Sequence, residues 1–276
     1  MGIIGNLGNQ NFGFFPLVLN IYRPGVNDYF NIFPILDWQA INGITVEHDI
    51  PLEMCVGGGF PIIRTRFVGG VSDGRYGSVH MDTATHNLTA KRSWYFYDDA
   101  IIALASDLML TTRTTAWTAF MASRLLPTGQ ITIGFFNSTI HTLPDGNYSF
   151  PYVQNKISNV QWVHVGGSDI GYLLQVQQKY ASLEVQVGMK TGDYRTIGPS
   201  NYTITARMLT LAINHGVGPY TLDYNYMILP NVSLESIPRL IKQYDEEQVF
   251  ACISNAGNSQ GTVWPSLKHA NVCLMG

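Results

Sequence analysis

Apolar and polar residues alternate with a period of two along most of this chain. Leu183, Val185 and Val187 fall on one side of their segment and Glu184 and Gln186 on the other. Tyr220, Leu222, Tyr224, Tyr226 and Ile228 alternate with Thr221, Asp223 and Asn225. Leu209, Leu211 and Ile213 repeat the pattern, as does the stretch from Ile131 to Leu143. Because side chains of a strand point alternately to its two faces, this predicts strands with one buried face. Turn residues separate the runs at Pro144-Asp145-Gly146, Gly166-Gly167-Ser168-Asp169, Thr191-Gly192-Asp193 and Gly216-Val217-Gly218-Pro219. Asp98 to Leu110, which has helical propensity, reads as a buried strand pair from its setting among strands. The one helix expected runs from Leu234 to Tyr244, limited by Pro238. The pattern predicts a single all-β domain over residues 1–276, built as two large antiparallel sheets packed face to face.

Composition sharpens this picture at one point. Charged residues make up 13% of the chain, about half the usual share, whereas the 46% apolar fraction is ordinary. So few charges in 276 residues point to a face made to be covered by another domain. The net charge of −3, with no Lys/Arg run, argues against a nucleic-acid partner. No apolar run reaches the roughly 20 residues of a membrane span, and the first residues, Met1 to Gly5, read as too short and uncharged for a signal peptide. The three cysteines, Cys55, Cys252 and Cys273, suggest neither a disulfide framework nor a zinc site, and a bridge between Cys252 and Cys273 is left open. Asn-x-Ser/Thr sequons at Asn87, Asn137, Asn147, Asn201 and Asn231 hint at an extracellular setting.

Several blocks, in order, carry a family resemblance. Tyr29-Phe30-Asn31-Ile32-Phe33-Pro34 leads into Asp37-Trp38-Gln39-Ala40-Ile41-Asn42-Gly43-Ile44-Thr45, followed by the glycine-rich hairpin Phe67 to Gly77. Lys91-Arg92-Ser93-Trp94-Tyr95-Phe96-Tyr97-Asp98, then Asn214-His215-Gly216 and Ile228-Leu229-Pro230-Asn231, complete the series. Together they resemble the central domain of polysaccharide lyase family 8, the chondroitin, hyaluronate and xanthan lyases. Asn42 departs from the family's proline, and Asn42 to Glu47 resembles the branch found in insect-virus envelope proteins. The resemblance implies a galactose mutarotase-like super-sandwich with few or no helices. It also implies that the catalytic α/α toroid and the small C-terminal sheet domain are not in this chain.

Such lyases cleave a uronic-acid polymer by β-elimination. The reaction needs a neutralised carboxylate, a base for the C5 proton and an acid for the leaving oxygen. In the family, these groups come from the toroid. The sandwich adds a supporting Glu and Asn, and here no Glu precedes Glu47, leaving Asn6, Asn9 and Asn11 as weak candidates in a glycine-rich terminal stretch. Arg64, Arg66 and Arg75 are weak candidates for gripping a carboxylate or sulfate, although solvated or intersheet roles are commoner. His80, His164 and His215 lie far apart without metal spacing and read as structural. Trp38, Trp94, Trp117, Trp162 and Trp264 read as core rather than as a sugar platform. Asp98 and Asp99, as strand neighbours, would face apart. No phosphate cradle or nucleophile elbow is found, and neither a cofactor nor a metal is expected.

The first expectation is therefore the non-catalytic sandwich of a glycosaminoglycan lyase, with an acidic polysaccharide and a helical toroid, in cis or in trans, as partners. The second is a carbohydrate-binding or structural protein, of a virion envelope or matrix, derived from such a lyase. A self-sufficient enzyme using His or Tyr residues of the sandwich is the third. The setting expected is extracellular or virion-associated.

Overall fold

A computed structural model describes residues 28–50, 67–84, 87–153, 159–175, 180–218, 220–249, 253–256 and 259–274. Its strands are β1 (Thr45–Glu47), β2 (Val68–Ser72), β3 (Gly77–Ala84), β4 (Leu88–Phe96), β5 (Ile101–Leu110) and β6 (Thr115–Arg124). Next come β7 (Ile131–Phe135), β8 (Ile140–Leu143), β9 (Gly146–Pro151), β10 (Val160–Val165), β11 (Ile170–Leu174) and β12 (Ser182–Asp193). The long β13 (Thr203–Val217) and β14 (Tyr220–Pro230) precede the helix α1 (Ile237–Glu246). The chain then adds β15 (Ile253–Ala256), β16 (Ser259–Trp264) and β17 (His269–Leu274).

Two antiparallel sheets face each other, as the alternation predicts. The smaller runs β1-β6-β13-β12-β9 and the larger β2-β3-β4-β5-β14-β11-β10-β7-β8. Leu183, Val185 and Val187 of β12 pair with Ile213, Leu211 and Leu209 of β13, so one apolar row meets another on the same face. All six are buried. They meet Tyr224, Tyr226 and Ile228 of β14 and Ala103, Ala105 and Leu108 of β5 in the intersheet core. A one-residue slip would turn each row outward, and each such side chain contributes about 1.5–3 kcal/mol through burial, so the hydrophobic pattern fixes the register.

The local departures from expectation have visible causes. Asp98 to Leu110 is not a strand pair: Asp98 and Asp99 lie in a turn, and Ile101–Leu110 is one strand between β4 and β14. A bulge in β5 sets Ser106 and Asp107 opposite Asp223, with Asp107 in the left-handed region (φ 50°) and its N–H donated to the Asp223 carboxylate at 3.1 Å. Pro238 does not limit the helix but opens it. It sits in the first turn of α1, where its missing N–H has no carbonyl to serve.

Thr191-Gly192-Asp193 is not a turn either. It continues β12, with Gly192 paired to Ile204. A Cβ at Gly192 would stand 2.2 Å from the Pro34 carbonyl oxygen, so glycine here admits the segment that crosses the sheet. Gly192→Ala is expected to cost about 1–3 kcal/mol, as overpacking does. Gly188→Ala, on the same strand with open space around it, should change stability by no more than about 0.5 kcal/mol. Urea unfolding of the two variants checks the contrast.

The outer side of the large sheet carries α1 and a third sheet, β15-β16-β17. Thr262-Val263-Trp264 belongs to the centre strand of this third sheet. Gln260, fully buried, knots the two sheets together. It donates to Ser106 Oγ (3.0 Å) and the Lys91 carbonyl (3.2 Å) and accepts from Ser93. Trp264 packs against Tyr97 and Tyr244, with ring centroids 4.9 and 5.3 Å away. Among the described residues, no helix is long and apolar enough to cross a membrane.

Candidate functional site

Asn6, Asn9, Asn11, Arg64 and Arg66 lie outside the described residues, as do Cys55 and Cys252. Arg75 sits in the β2–β3 turn, two-thirds exposed, with its guanidinium fork on Asp98: Nε at 3.0 Å and Nη2 at 2.6 Å. The Tyr76 hydroxyl donates to the same carboxylate at 3.0 Å. Arg75 holds the Asp98 carboxyl below its usual range. The bidentate geometry expected for a sugar carboxylate is thus made within the chain. Because Asp98 and Asp99 lie in the β4–β5 turn, the strand-neighbour argument for their separation does not apply.

The three singled-out histidines stand on three different strands and are all buried. On β3, His80 is held between Ser93 Oγ (2.7 Å) and Ser78 Oγ (2.8 Å), and burial lowers its pKa. On β10, His164 Nε2 donates to the Val232 carbonyl at 3.0 Å, which fixes its tautomer. On β13, His215 Nε2 lies 2.8 Å from Thr118 Oγ1 and its ring 4.9 Å from that of Tyr224; burial pulls its pKa down to about 3. Buried rings with interior partners match the structural reading.

The largest polar features were not singled out in the sequence. Arg92 is fully buried on β4. Its guanidinium donates to the Gly43 carbonyl, to Thr83 Oγ1 (3.0 Å) and to the Met81 sulfur (3.3 Å), and lies 5.3 Å from the Trp94 ring centroid. Nearby on β1, Thr45 Oγ1 hydrogen-bonds with Thr118 (2.9 Å) and with the Tyr224 hydroxyl (3.0 Å), extending the chain that reaches His215. Asn42 accepts from the Ala122 N–H and donates to the Tyr29 hydroxyl at 2.9 Å. Glu47 accepts from Thr112 (3.0 Å) and Thr114 (2.9 Å). A polar residue inside an alternating apolar row was the available signal for Arg92, since Ala90, Arg92 and Trp94 share one face.

Trp94, Trp162 and Trp264 are buried, as core residues should be, whereas Trp38 and Trp117 are only half-buried. Residues 28–43 lie across the outer side of the small sheet, packed on Ala119, Ile204, Met208 and Ala212. Trp38 stacks with Phe33 (6.0 Å, 23°), and Trp117 with His48 (3.8 Å, 7°). Asp37 lies 3.5 Å from His48 Nε2. Burial raises the Asp37 pKa, but the nearby His48 and the bond from the Gln39 N–H outweigh it and leave the carboxyl below its usual range. Beside them Tyr194 and Tyr202 pack 4.4 Å apart and both donate to Asn31 Oδ1, at 2.6 and 3.2 Å. Burial and the adjacent Tyr202 hydroxyl push Tyr194 up to about 12. This side offers ring faces and amide or hydroxyl edges, which suit sugar stacking better than proton transfer. Among the described residues, no group of three or more His, Cys, Asp or Glu is placed to hold a metal ion.

The super-sandwich domain of polysaccharide lyase family 8 matches residues 18–241 of this chain. Xanthan lyase of Bacillus sp. strain GL1 is 30% identical over 169 residues, covering 57% of this chain and 17% of that protein. Chondroitinase-AC of Pedobacter heparinus is 28% identical over 236 residues, covering 79% of this chain and 29% of that protein. The solved xanthan lyase of Paenibacillus superposes with a TM-score of 0.72 at 21% identity, over 92% of this chain and 24% of that one. The chain thus spans less than a third of the length of these relatives.

Proposed function

The chain belongs to polysaccharide lyase family 8, and from that premise we propose that it is the non-catalytic sandwich part of a lyase acting on a hyaluronan- or chondroitin-type polymer by β-elimination. It borders the substrate cleft and packs on a helical catalytic domain supplied in cis or in trans. The observation that carries this reading is the family match to the super-sandwich domain over most of the chain. The interior commitments of His80, His164 and His215 support it, because a base must reach the C5 proton of a polymer lying in a cleft. An extracellular or virion-associated location belongs to the same proposal, supported by the five sequons.

Incubation with hyaluronan and with chondroitin, followed by the ultraviolet absorbance of unsaturated uronic acid, tests it. The expected trace is flat for the chain alone and rises once the complementary helical domain is added. A rise without that domain, lost in His164→Ala or His215→Ala, would make this sandwich an enzyme in its own right. A mixture that stays inert and forms no complex would also defeat the proposal.

The half-buried rings of Trp38 and Trp117 and the exposed ring of Phe33 favour a second reading, a carbohydrate-binding or structural descendant without chemistry. Chondroitin binding that survives without any helical domain, and is lost in Trp38→Ala, would select it.

A further inference from the structure

The β7–β8 hairpin is the most exposed stretch of apolar and polar residues at the far edge of the large sheet: Phe136 to Ile140 are all exposed, Phe136 by 40% and Ile140 by 56%. Its three-residue loop is Phe136-Asn137-Ser138. The Ser138 N–H donates to the Phe135 carbonyl and the Phe135 N–H to the Thr139 carbonyl, both at 2.9 Å, with Ser138 left-handed at φ 66°. That is a type I turn closed by a bulge. Asn137 Oδ1 accepts from the Thr139 N–H (3.0 Å) and hydroxyl (2.6 Å). Its Nδ2 has no partner among the described residues and faces an open surface.

We infer that Asn137 is an N-glycosylation site whose glycan covers the apolar tip formed by Phe136 and Ile140. The inference rests on the extracellular reading above. In the transfer, Nδ2 attacks the anomeric carbon of a lipid-pyrophosphate-linked oligosaccharide. A C–N bond forms, the anomeric carbon–oxygen bond breaks, the lipid pyrophosphate leaves with the electron pair, and one Nδ2 proton passes to a base. Transfer precedes folding, so the fold's part is to accommodate the product. Here only an unpaired N–H is replaced, while both bonds to Oδ1 persist.

Among the other sequons, Asn147, Asn201 and Asn231 are exposed as well, and Asn87 is the one whose amide is engaged. The Asn87 Nδ2 stands 3.4 Å from both carboxylate oxygens of Glu47, half-buried beside Thr112 and Thr114, so a glycan would break that contact. Asn147 lies within β9, opposite Gln186. Asn231 is left-handed at φ 57° and precedes buried Val232. Asn201 adjoins Tyr202, whose hydroxyl is tied to Asn31.

The full-length chain, secreted from eukaryotic cells behind an added signal peptide, should yield an Asn137 glycopeptide on mass mapping. Asn137→Gln and Thr139→Ala should both lose it, Thr139→Ser should retain it, and the secreted folded fraction should have Asn87 bare. An unmodified Asn137 on secreted protein with native circular dichroism overturns the site. A modified Asn137 there, with bare asparagines throughout protein recovered from its own source, overturns instead the extracellular reading on which the assignment rests.

Discussion

Arg92→Ala is expected to lower the free energy of unfolding by about 3–5 kcal/mol, the range for large buried truncations and for breaking buried charged contacts. The guanidinium is the largest fully buried polar side chain described, and its contacts are a carbonyl, a hydroxyl, a thioether and an aromatic ring. Burial lowers its pKa, but an arginine keeps its proton in a protein, so the desolvation cost is carried by those contacts. Truncation leaves a cavity against Trp94 and strips a donor from the Gly43 carbonyl, where the chain turns into β1. The damage should therefore reach the β1 edge of the small sheet. Arg92→Met restores volume without the donor and should fall between alanine and wild type. Arg92→Lys keeps the charge but not the planar fork that serves Gly43 and Thr83 together. Urea midpoints rank the three, and an alanine variant as stable as wild type would show that these contacts carry no net stability.

Acid should destabilise the protein through His215. Its folded pKa is about 3 against 6.5 for an unperturbed imidazole, because burial penalises the charged form. Above pH 6.5 both states are neutral and the group contributes nothing to pH dependence. As pH falls below 6.5 the unfolded chain takes up a proton that the folded chain refuses, so stability declines until about pH 3. By pH 4.5 the loss amounts to about 2–3 kcal/mol, at 1.36 kcal/mol per pH unit. Carboxyls held low, such as Asp98 beside Arg75 and Asp37 beside His48, add their own losses nearer pH 4 and below. His215→Gln retains a polar partner for Thr118 and has nothing to titrate. The difference between its urea midpoints at pH 7 and pH 4.5 should be smaller than that of wild type; an identical difference would place the acid lability elsewhere.

How far the fold could be read in advance follows from where the information resides. Alternation in β12, β13 and β14 specified which side chains face inward, since period two and burial are directly linked. It did not specify partners. The Gly216 to Pro219 connection looks like an ordinary hairpin turn, yet β13 and β14 belong to opposite sheets. Gly192 was misread because glycine marks close approach as often as a turn, and the approaching group, the Pro34 carbonyl, is more than 150 residues away in sequence. The aromatic side of the small sheet was hidden for a related reason. Trp38 and Trp117 are far apart in sequence, and only folding residues 28–43 over β6 and β13 brings their neighbourhoods onto one surface. His80, His164 and His215, by contrast, were legible as structural because no spacing linked them, and their interior partners bear that out.

The position of β14 at the middle of the large sheet has a consequence for synthesis of the protein. β5 and β11 both hydrogen-bond to β14, so neither has its second neighbour until residues 220–230 exist. At a translation rate of about 5–20 residues per second, roughly 5–20 s separate the emergence of β5 from that of its partner. Throughout that interval the nascent chain holds two partial sheets with unpaired edges, the condition most open to wrong association. A ribosome stalled before residue 220 would release two unfinished halves rather than a smaller sandwich, and chaperone demand should peak over that stretch of the message.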